Sequence, residues 1–411
     1  MEARAARATS ALLRDDSVSE ALRAASRRLE LDQRRVLAAN AADVEAAGNA
    51  LDAGSLDRLR LDRKRIDEIS RQLRELAELP ALVREIESWR LANGLVVSTR
   101  RIPIGAVGAN FEARPNVAVD IASQLLKSLN ASVLRTGGAA LRTVTSLVDD
   151  VLRPALQDAG LPAPAIGLVR VSERAGAFAL VSLPQELPLV ILRGSGATTA
   201  ELTEVAAANG VRTLAHAEGG AVLYLDAAAD LARARQLILA SLDRLGVCNR
   251  LNLLVVHEAI AHALPSLLEL LREQGLEARG TERARRFADM LPLDRPLAHE
   301  WASDPGRVAT VSVDTVASLA EAVAIANDET SGLAAGIVSE DAAAANAFLD
   351  SYRGTAAFWH APTRFTDGFA LTGAPESGIN VDWVPGPRGP VTYRDLWLRQ
   401  FRIIGDGTQK R

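Results

Sequence analysis

Cysteine occurs once in the 411 residues, as Cys248, and lysine only three times, as Lys64, Lys127 and Lys410. A single thiol cannot close an internal disulfide, and no cysteine cluster exists for structural zinc, so a reducing, cytoplasmic setting is expected. Three lysines leave few candidates for Schiff-base chemistry. No run of about 18 apolar residues occurs, so no membrane span is expected. Basic residues are not concentrated: 47 Lys and Arg are interleaved with 51 Asp and Glu. Counterion release needs a concentrated basic face, so neither nucleic acid nor a membrane surface is an expected partner. The opening "MEARAARATSALLRDDSVSEALRAASRRLELDQRR" carries arginines, but also acidic residues, and runs directly into a helical pattern. It reads as the first helices of the fold, not as a targeting segment.

What is present is ordinary globular material, 48% apolar and 24% charged, in a chain long enough for two or more domains. Residues 11 to about 88 place apolar side chains at helical spacing, with Pro80 as a stop. "GLVVSTRRIPIGAVGANF" then changes to β-branched residues punctuated by glycine and proline, which reads as strands and turns. Strands and helices alternate from there, as in "NVAVDIASQLLKSL", "ASVLRT", "LRTVTSLVDDVLRPALQDAG" and "LPLVILRG", which implies βαβ units and a mostly parallel sheet. A second α/β stretch follows "AVLYLD", with strands "LNLLVVH", "RVATVSV", "GLAAGIVS" and "TAAFWH", and helices filling the region up to about 290. The tail "RGPVTYRDLWLRQFRIIGDG" reads as a strand that pairs far from its sequence neighbours.

Several stretches could carry chemistry. "LPLVILRGSGATTAEL" runs an apolar strand into Gly194 and Ser195 and then a helix, a geometry suited to phosphate, or simply a strand-to-helix turn. "VLRTGGAAL" is a second such exit, with Arg135, Thr136, Gly137 and Gly138. In "HEAIAH" the histidines His257 and His262 stand five apart, not the four that the zinc-protease helix pattern requires, so no metal site is expected. Cys248 in "RLGVCNRL" has two readings. It is a small buried hydrophobe, or a nucleophile held on a turn where backbone dipoles stabilise its thiolate.

Taken together, "RVLAANAADVEAA", "RRIPIGAVGANFEARPNVAVDIASQLLKSLNASVLRTGG", "GVCN", "TRFTDGF" and "RGP" resemble γ-glutamyl phosphate reductase (glutamate-5-semialdehyde dehydrogenase), a branch of the aldehyde dehydrogenase superfamily. The resemblance implies an α/β fold with a Rossmann-like cofactor domain, an α/β catalytic domain and a small oligomerisation flap. Expected boundaries are 1–222 for the NADP-binding domain with the flap hairpin at 89–103, 223–368 for the catalytic domain, and 369–411 for a return segment and oligomerisation strand. It implies NADPH-dependent reduction of an acyl phosphate: the Cys248 thiolate expels phosphate, hydride converts the thioacyl enzyme to a thiohemiacetal, and collapse gives the semialdehyde. Asn116, or backbone near Cys248, would steady the oxyanion. Arg135, Thr136, Gly137, Gly138, Gly194, Ser195 and Glu300 would hold NADP(H), and Glu112, Arg114, Arg364 and Thr366 the substrate. A homodimer or homotetramer is implied, with an amino-acid kinase as the candidate partner.

The chain also departs from that pattern. Leu129 stands where the family usually has glycine, Glu218 is one residue out of register for the hydrolytic dehydrogenases' general base, and "FALTGAPESGINVDWVPGP" replaces a glycine-rich segment and a run ending in lysine. These departures keep two alternatives open: oxidation of a different aldehyde, or a catalytically silent nucleotide-binding paralogue that scaffolds a partner.

Overall fold

The computed structural model describes residues 1–51, 53–112, 114–194, 196–216, 219–243, 247–297, 310–381 and 386–409. They form two compact units, one of residues 1–215, 374–378 and 391–411, the other of 216–373 and 379–390.

The first unit opens with helices α1 (Glu2–Thr9), α2 (Asp15–Leu31), α3 (Gln33–Ala47), α4 (Ala53–Leu59) and α5 (Arg63–Glu78). Helix α5 shows why the sequence reads as helical here. Asp62 caps it by accepting from the Arg65 N–H at 2.8 Å, and Ile66, Ile69, Leu73 and Leu76 bury one stripe. The residue before Pro80 is already extended, as proline demands. The hairpin of β1 (Glu85–Arg90) and β2 (Val96–Pro103) begins four residues before the expected position 89. Its turn contains Gly94 at a φ of 92°.

A five-stranded sheet follows: β3 (Ala106–Phe111), helix α6 (Asn116–Lys127), β4 (Ala131–Thr136), a long helical stretch from α7 (Leu141–Ser146) through a π segment to α8 (Arg153–Asp158), β5 (Ile166–Leu168), α9 (Arg174–Leu180), β6 (Leu189–Arg193), α10 (Gly196–Ala208) and β7 (Arg212–His216). Spatial order is β5-β4-β3-β6-β7, with β3 parallel to both β4 and β6. The chain winds outward from β3 in one direction and then in the other. Its topological switch point, the usual ligand crevice of an open α/β sheet, therefore lies between the exits of β3 and β6.

The second unit contains β8 (Ala221–Leu225), α11 (Leu231–Ala240), β9 (Leu251–His257), α12 (Leu264–Glu273), β10 (Glu277–Gly280), β11 (Leu291–Pro292), β12 (Thr310–Val316), α13 (Leu319–Asp328), β13 (Ala334–Val338), α14 (Ala342–Ser351), β14 (Ala356–Trp359) and α15 (Gly368–Thr372). Its seven strands run in the order β11-β10-β12-β9-β8-β13-β14. Alternate residues serve opposite faces: Leu223, Leu254 and Val313 pack with Leu237 and Leu271, whereas Val222, Tyr224, Leu253 and Val255 pack with Ile325 and Phe348. Burial on both faces makes these strands near-continuous apolar runs.

Strand β10 corrects the expectation of helices up to about 290. Gly275, at a φ of 73°, ends the helix, and the polar "EARG" that follows pairs with β12. "RTLAHA" and "AVLYLD", adjacent and alike in sequence, belong to different sheets, so the units divide at 215/216 whereas 222/223 was expected.

The return segment is shared between the units: a two-stranded ribbon, β15 (Gly378–Asn380) and β16 (Gly389–Val391), precedes β17 (Trp397–Ile404). This last strand pairs antiparallel with the whole of β2, from Trp397 opposite Pro103 to Ile404 opposite Val96.

Candidate active site

Cys248 sits between helix α11 and strand β9. Asp230 starts the helix by accepting from the Arg233 N–H at 2.6 Å, and the Ser241 carbonyl at its far end receives the Leu251 N–H at 3.0 Å, which ties the helix end to the strand start. The thiol is half-buried against a small apolar cluster that includes Ala221, Leu333, Ala334, Phe358 and Ile379. On one side the Cys248 carbonyl accepts from the Gly220 N–H at 2.6 Å. A Cβ on Gly219 would stand 2.6 Å from the Cys248 Cβ and 2.7 Å from its Cα, and one on Gly220 would strike the Asn252 side chain. In the doublet of "HAEGG", Gly219 is therefore demanded by Cys248 and Gly220 by Asn252 and its own φ of 112°.

On the other side, Asn249, only 4% exposed, joins the turn to "TRFTDG". Its Nδ2 donates to the carbonyls of Arg364 and Thr366, both at 3.0 Å, and its own carbonyl accepts from the Thr363 Oγ1 at 3.0 Å. Its Oδ1 accepts from the Arg364 guanidinium, whose Nε also donates to Asp243 at 2.6 Å. Two motifs more than a hundred residues apart thus meet, bringing Arg364 and Thr366 beside Cys248. Thr366 is fully buried, and its Oγ1 has no hydrogen-bond partner among the described residues. Asp367 caps α15 by accepting from the Ala370 N–H at 3.1 Å.

The first unit gathers Glu112, Arg114, Asn116, Arg135, Thr136, Gly137, Gly138 and Gly194 at the exits of β3, β4 and β6. Glu112 follows β3, and its N–H donates to the Arg193 carbonyl at 3.2 Å. Its carboxylate lies over Gly194, where a Cβ would come within 2.9 Å of Oε1. Arg114 is half-buried between them and α6 in sequence. Asn116 opens α6, and its Nδ2 donates to Asp120 one turn on at 3.0 Å. Burial pushes the Asp120 carboxyl up to about 7, with Arg193 pulling it down and Glu376 pushing it up.

Arg135 is 8% exposed and spends its guanidinium internally, on Asn110 Oδ1 at 3.1 Å and on the Ser172 and Glu173 carbonyls at 2.9 and 3.1 Å. Burial holds its pKa below the usual arginine range. Next to it Thr136 is fully buried with Oγ1 unpartnered among the described residues, while a Cβ on Gly137 would meet nothing within 4 Å and one on Gly138 only Ser172 at 3.4 Å. An unused hydroxyl beside open backbone at a strand exit suits a sugar–phosphate group. Ser195, Glu218 and Glu300 lie outside the described residues.

Asp243, Gly219 and the buried role of Asn249 were not singled out in the sequence. The glycine doublet directly before an apolar strand was the available signal for Gly219; nothing local marks Asp243. Among the described residues no group of three or more potential metal ligands occurs, and no helix is long and apolar enough to cross a membrane.

The doubly wound sheet, the second parallel sheet and the cysteine turn define an aldehyde dehydrogenase-type protein. The model of the aldehyde dehydrogenase family matches residues 15–274 and 309–386, and the chain belongs to that family. Among its relatives, the γ-glutamyl phosphate reductase of Moorella thermoacetica is 35% identical over 393 residues, 95% of this chain and 92% of that one. γ-Glutamyl phosphate reductase 2 of Bacillus licheniformis is 33% identical over 402 residues, covering 96% and 92%. The crystal structure of γ-glutamyl phosphate reductase from Thermotoga maritima superposes with a TM-score of 0.92 at 28% identity, covering 100% of this chain and 99% of that one. The branch resemblance drawn from "FEARPNV" and "TRFTDG" agrees with these matches.

Proposed function

We propose that the protein reduces an acyl phosphate, γ-glutamyl phosphate or a related amino-acid acyl phosphate, to the semialdehyde through a thioacyl enzyme on Cys248. The observation that carries this reading is the clamped turn: the only thiol of the chain is half-exposed on a backbone gripped by Gly220 on one side and Asn249 on the other. The thiolate attacks the acyl carbon, a C–S bond forms, the C–O bond to phosphorus breaks, and inorganic phosphate leaves. NADPH, when bound, supplies the hydride. The resulting alkoxide expels the Cys248 thiolate and gives the aldehyde.

Asn116 serves as an N–H donor to the developing oxyanion, its orientation held by Asp120. Thr136, Gly137, Gly138, Gly194 and Ser195 would hold the dinucleotide, with Arg135 bracing the β4 exit and Glu300 on the nicotinamide ribose. Glu112, Arg114, Arg364 and Thr366 would receive substrate. A reactive acyl phosphate must be supplied by phosphorylation of a carboxylate, so the natural supplier is an amino-acid kinase. The three-stranded sheet β1-β2-β17 is the proposed self-association surface, because it leaves Trp89, Phe401, Ile403 and Ile404 exposed.

The test runs the reaction backwards. Glutamate-5-semialdehyde, NADP and phosphate should give phosphate-dependent formation of NADPH, abolished in Cys248→Ala. Turnover independent of phosphate, or retained without the thiol, rejects the proposal.

A further inference from the structure

The side-chain network around Arg364 has a geometry that a simple tie between two loops does not require. A guanidinium offers five N–H groups in a fixed fork. Here Nε is taken by Asp243 at 2.6 Å and Nη1 by the Asn249 Oδ1, while Nη2 has no hydrogen-bond partner among the described residues. The Arg364 side chain is about four-fifths buried, whereas Asp243 is mostly exposed, so the ion pair is anchored from the solvent side. Asn249 is buried and fixed by three further hydrogen bonds, which makes it a rigid second point of attachment. Two attachment points on one planar group determine the direction of its third edge. The neighbouring Thr366 adds, on the same segment, a buried hydroxyl without a hydrogen-bond partner among the described residues.

We propose that Asp243 and Asn249 are positioning residues that orient the Nη2 edge of Arg364 as a grip for an anionic group, the carboxylate or phosphate of the substrate, held beside Cys248. This deepens the proposed function and rests on Cys248 being the reacting group. The fork geometry matters because Asp243 already offsets the arginine's charge. Selectivity for an anion then depends on aimed N–H groups, not on excess positive charge.

The lone thiol allows a test that needs no turnover. Rates of Cys248 alkylation by iodoacetate, which is anionic, and by iodoacetamide, which is neutral, are measured by intact mass, with glutathione as the unstructured reference. The grip predicts an iodoacetate-to-iodoacetamide ratio about tenfold above that of glutathione, the value of one charge-assisted hydrogen bond of about 1.4 kcal/mol. Arg364→Gln should remove this preference, and Arg364→Lys, which keeps charge but not the fork, should lose most of it. Asp243→Ala should lower the ratio because the aim is lost, although the local charge becomes more positive. Asp243→Asn, which keeps an acceptor for Nε, should retain the preference. Iodoacetamide rates should stay within about threefold throughout, which controls for folding.

A parent ratio equal to that of glutathione, or one unchanged in Arg364→Gln, overturns the grip. A ratio that rises in Asp243→Ala overturns the positioning role. Turnover of Cys248→Ala in the phosphate-dependent assay reports separately on the proposed function, so the two ideas can fail independently.

Discussion

At the scale of single residues, two glycine questions have opposite answers. Gly219 tolerates no side chain, because a Cβ would stand 2.6 to 2.8 Å from the Cys248 Cβ, Cα and carbonyl oxygen, mostly backbone atoms that cannot swing aside. Gly219→Ala should fold but displace the thiol, and a shift of about 1 Å at a nucleophile costs roughly a hundredfold in rate. Steady-state kinetics beside a thermal melt would check this, and unaltered kcat would reject it. Leu129 is the converse case: it occupies the turn before β4 at a φ of 61°, in the left-handed region that favours glycine. A leucine there bears a strain of about 1–2 kcal/mol, offset by its packing on the first unit's core. Leu129→Gly should therefore stay within about 1 kcal/mol of the parent in denaturant unfolding, while the β-branched Leu129→Val should be less stable than either. The family departure noted at this position is thus sterically tolerated.

At the scale of elements, the decisive unit is α11, the cysteine turn and β9 locked to the segment 363–367. Asn249 does this with its side-chain amide and its backbone carbonyl, and among the described residues its Nδ2 is the donor to the carbonyls of Arg364 and Thr366. Asn249→Ala should leave them unsatisfied, at about 1–3 kcal/mol. The loosened turn should also speed iodoacetamide alkylation of Cys248, a local opening that a global stability loss would not mimic in native buffer. Helices and most strands were legible because their periods are strong: the stripe of α5 and the apolar runs of β9 and β13 need no tertiary information. Strand β10 was not legible. "EARG" has no apolar alternation, and its pairing with β12 is made by residues some thirty positions away.

At the scale of the whole molecule, two properties follow from buried and exposed groups. The Asp120 carboxyl is raised to about 7 by burial, so the folded state holds its proton to a higher pH than the unfolded chain does. The stability this contributes is fully present below about pH 4 and is lost as pH rises toward 7, by at most about 1.4 kcal/mol per pH unit. Asp120→Asn should flatten that slope in chemical unfolding measured from pH 4.5 to 7.5; an unchanged slope would reject the assignment. The exposed face of β17 gives the second prediction. Phe401 and Ile403 are 52% and 60% exposed, and Phe401 meets Trp89 edge-on at 6.3 Å. Phe401→Glu with Ile403→Glu should lower the mass found by light scattering if the flap joins copies, and should leave the mass unchanged if it does not. By itself the sequence determined the α/β class and the family branch, and it singled out Cys248 as the candidate thiol, because apolar period, strand exits and a lone thiol in a motif are local properties. Only the tertiary structure decided that Gly219 must lack a side chain, that Asn249 joins the cysteine to "TRFTDG", that Asp243 holds Arg364, and that Arg135 spends its charge internally. Each of these depends on which distant atoms come within hydrogen-bond or van der Waals reach, and no local pattern of residues encodes that.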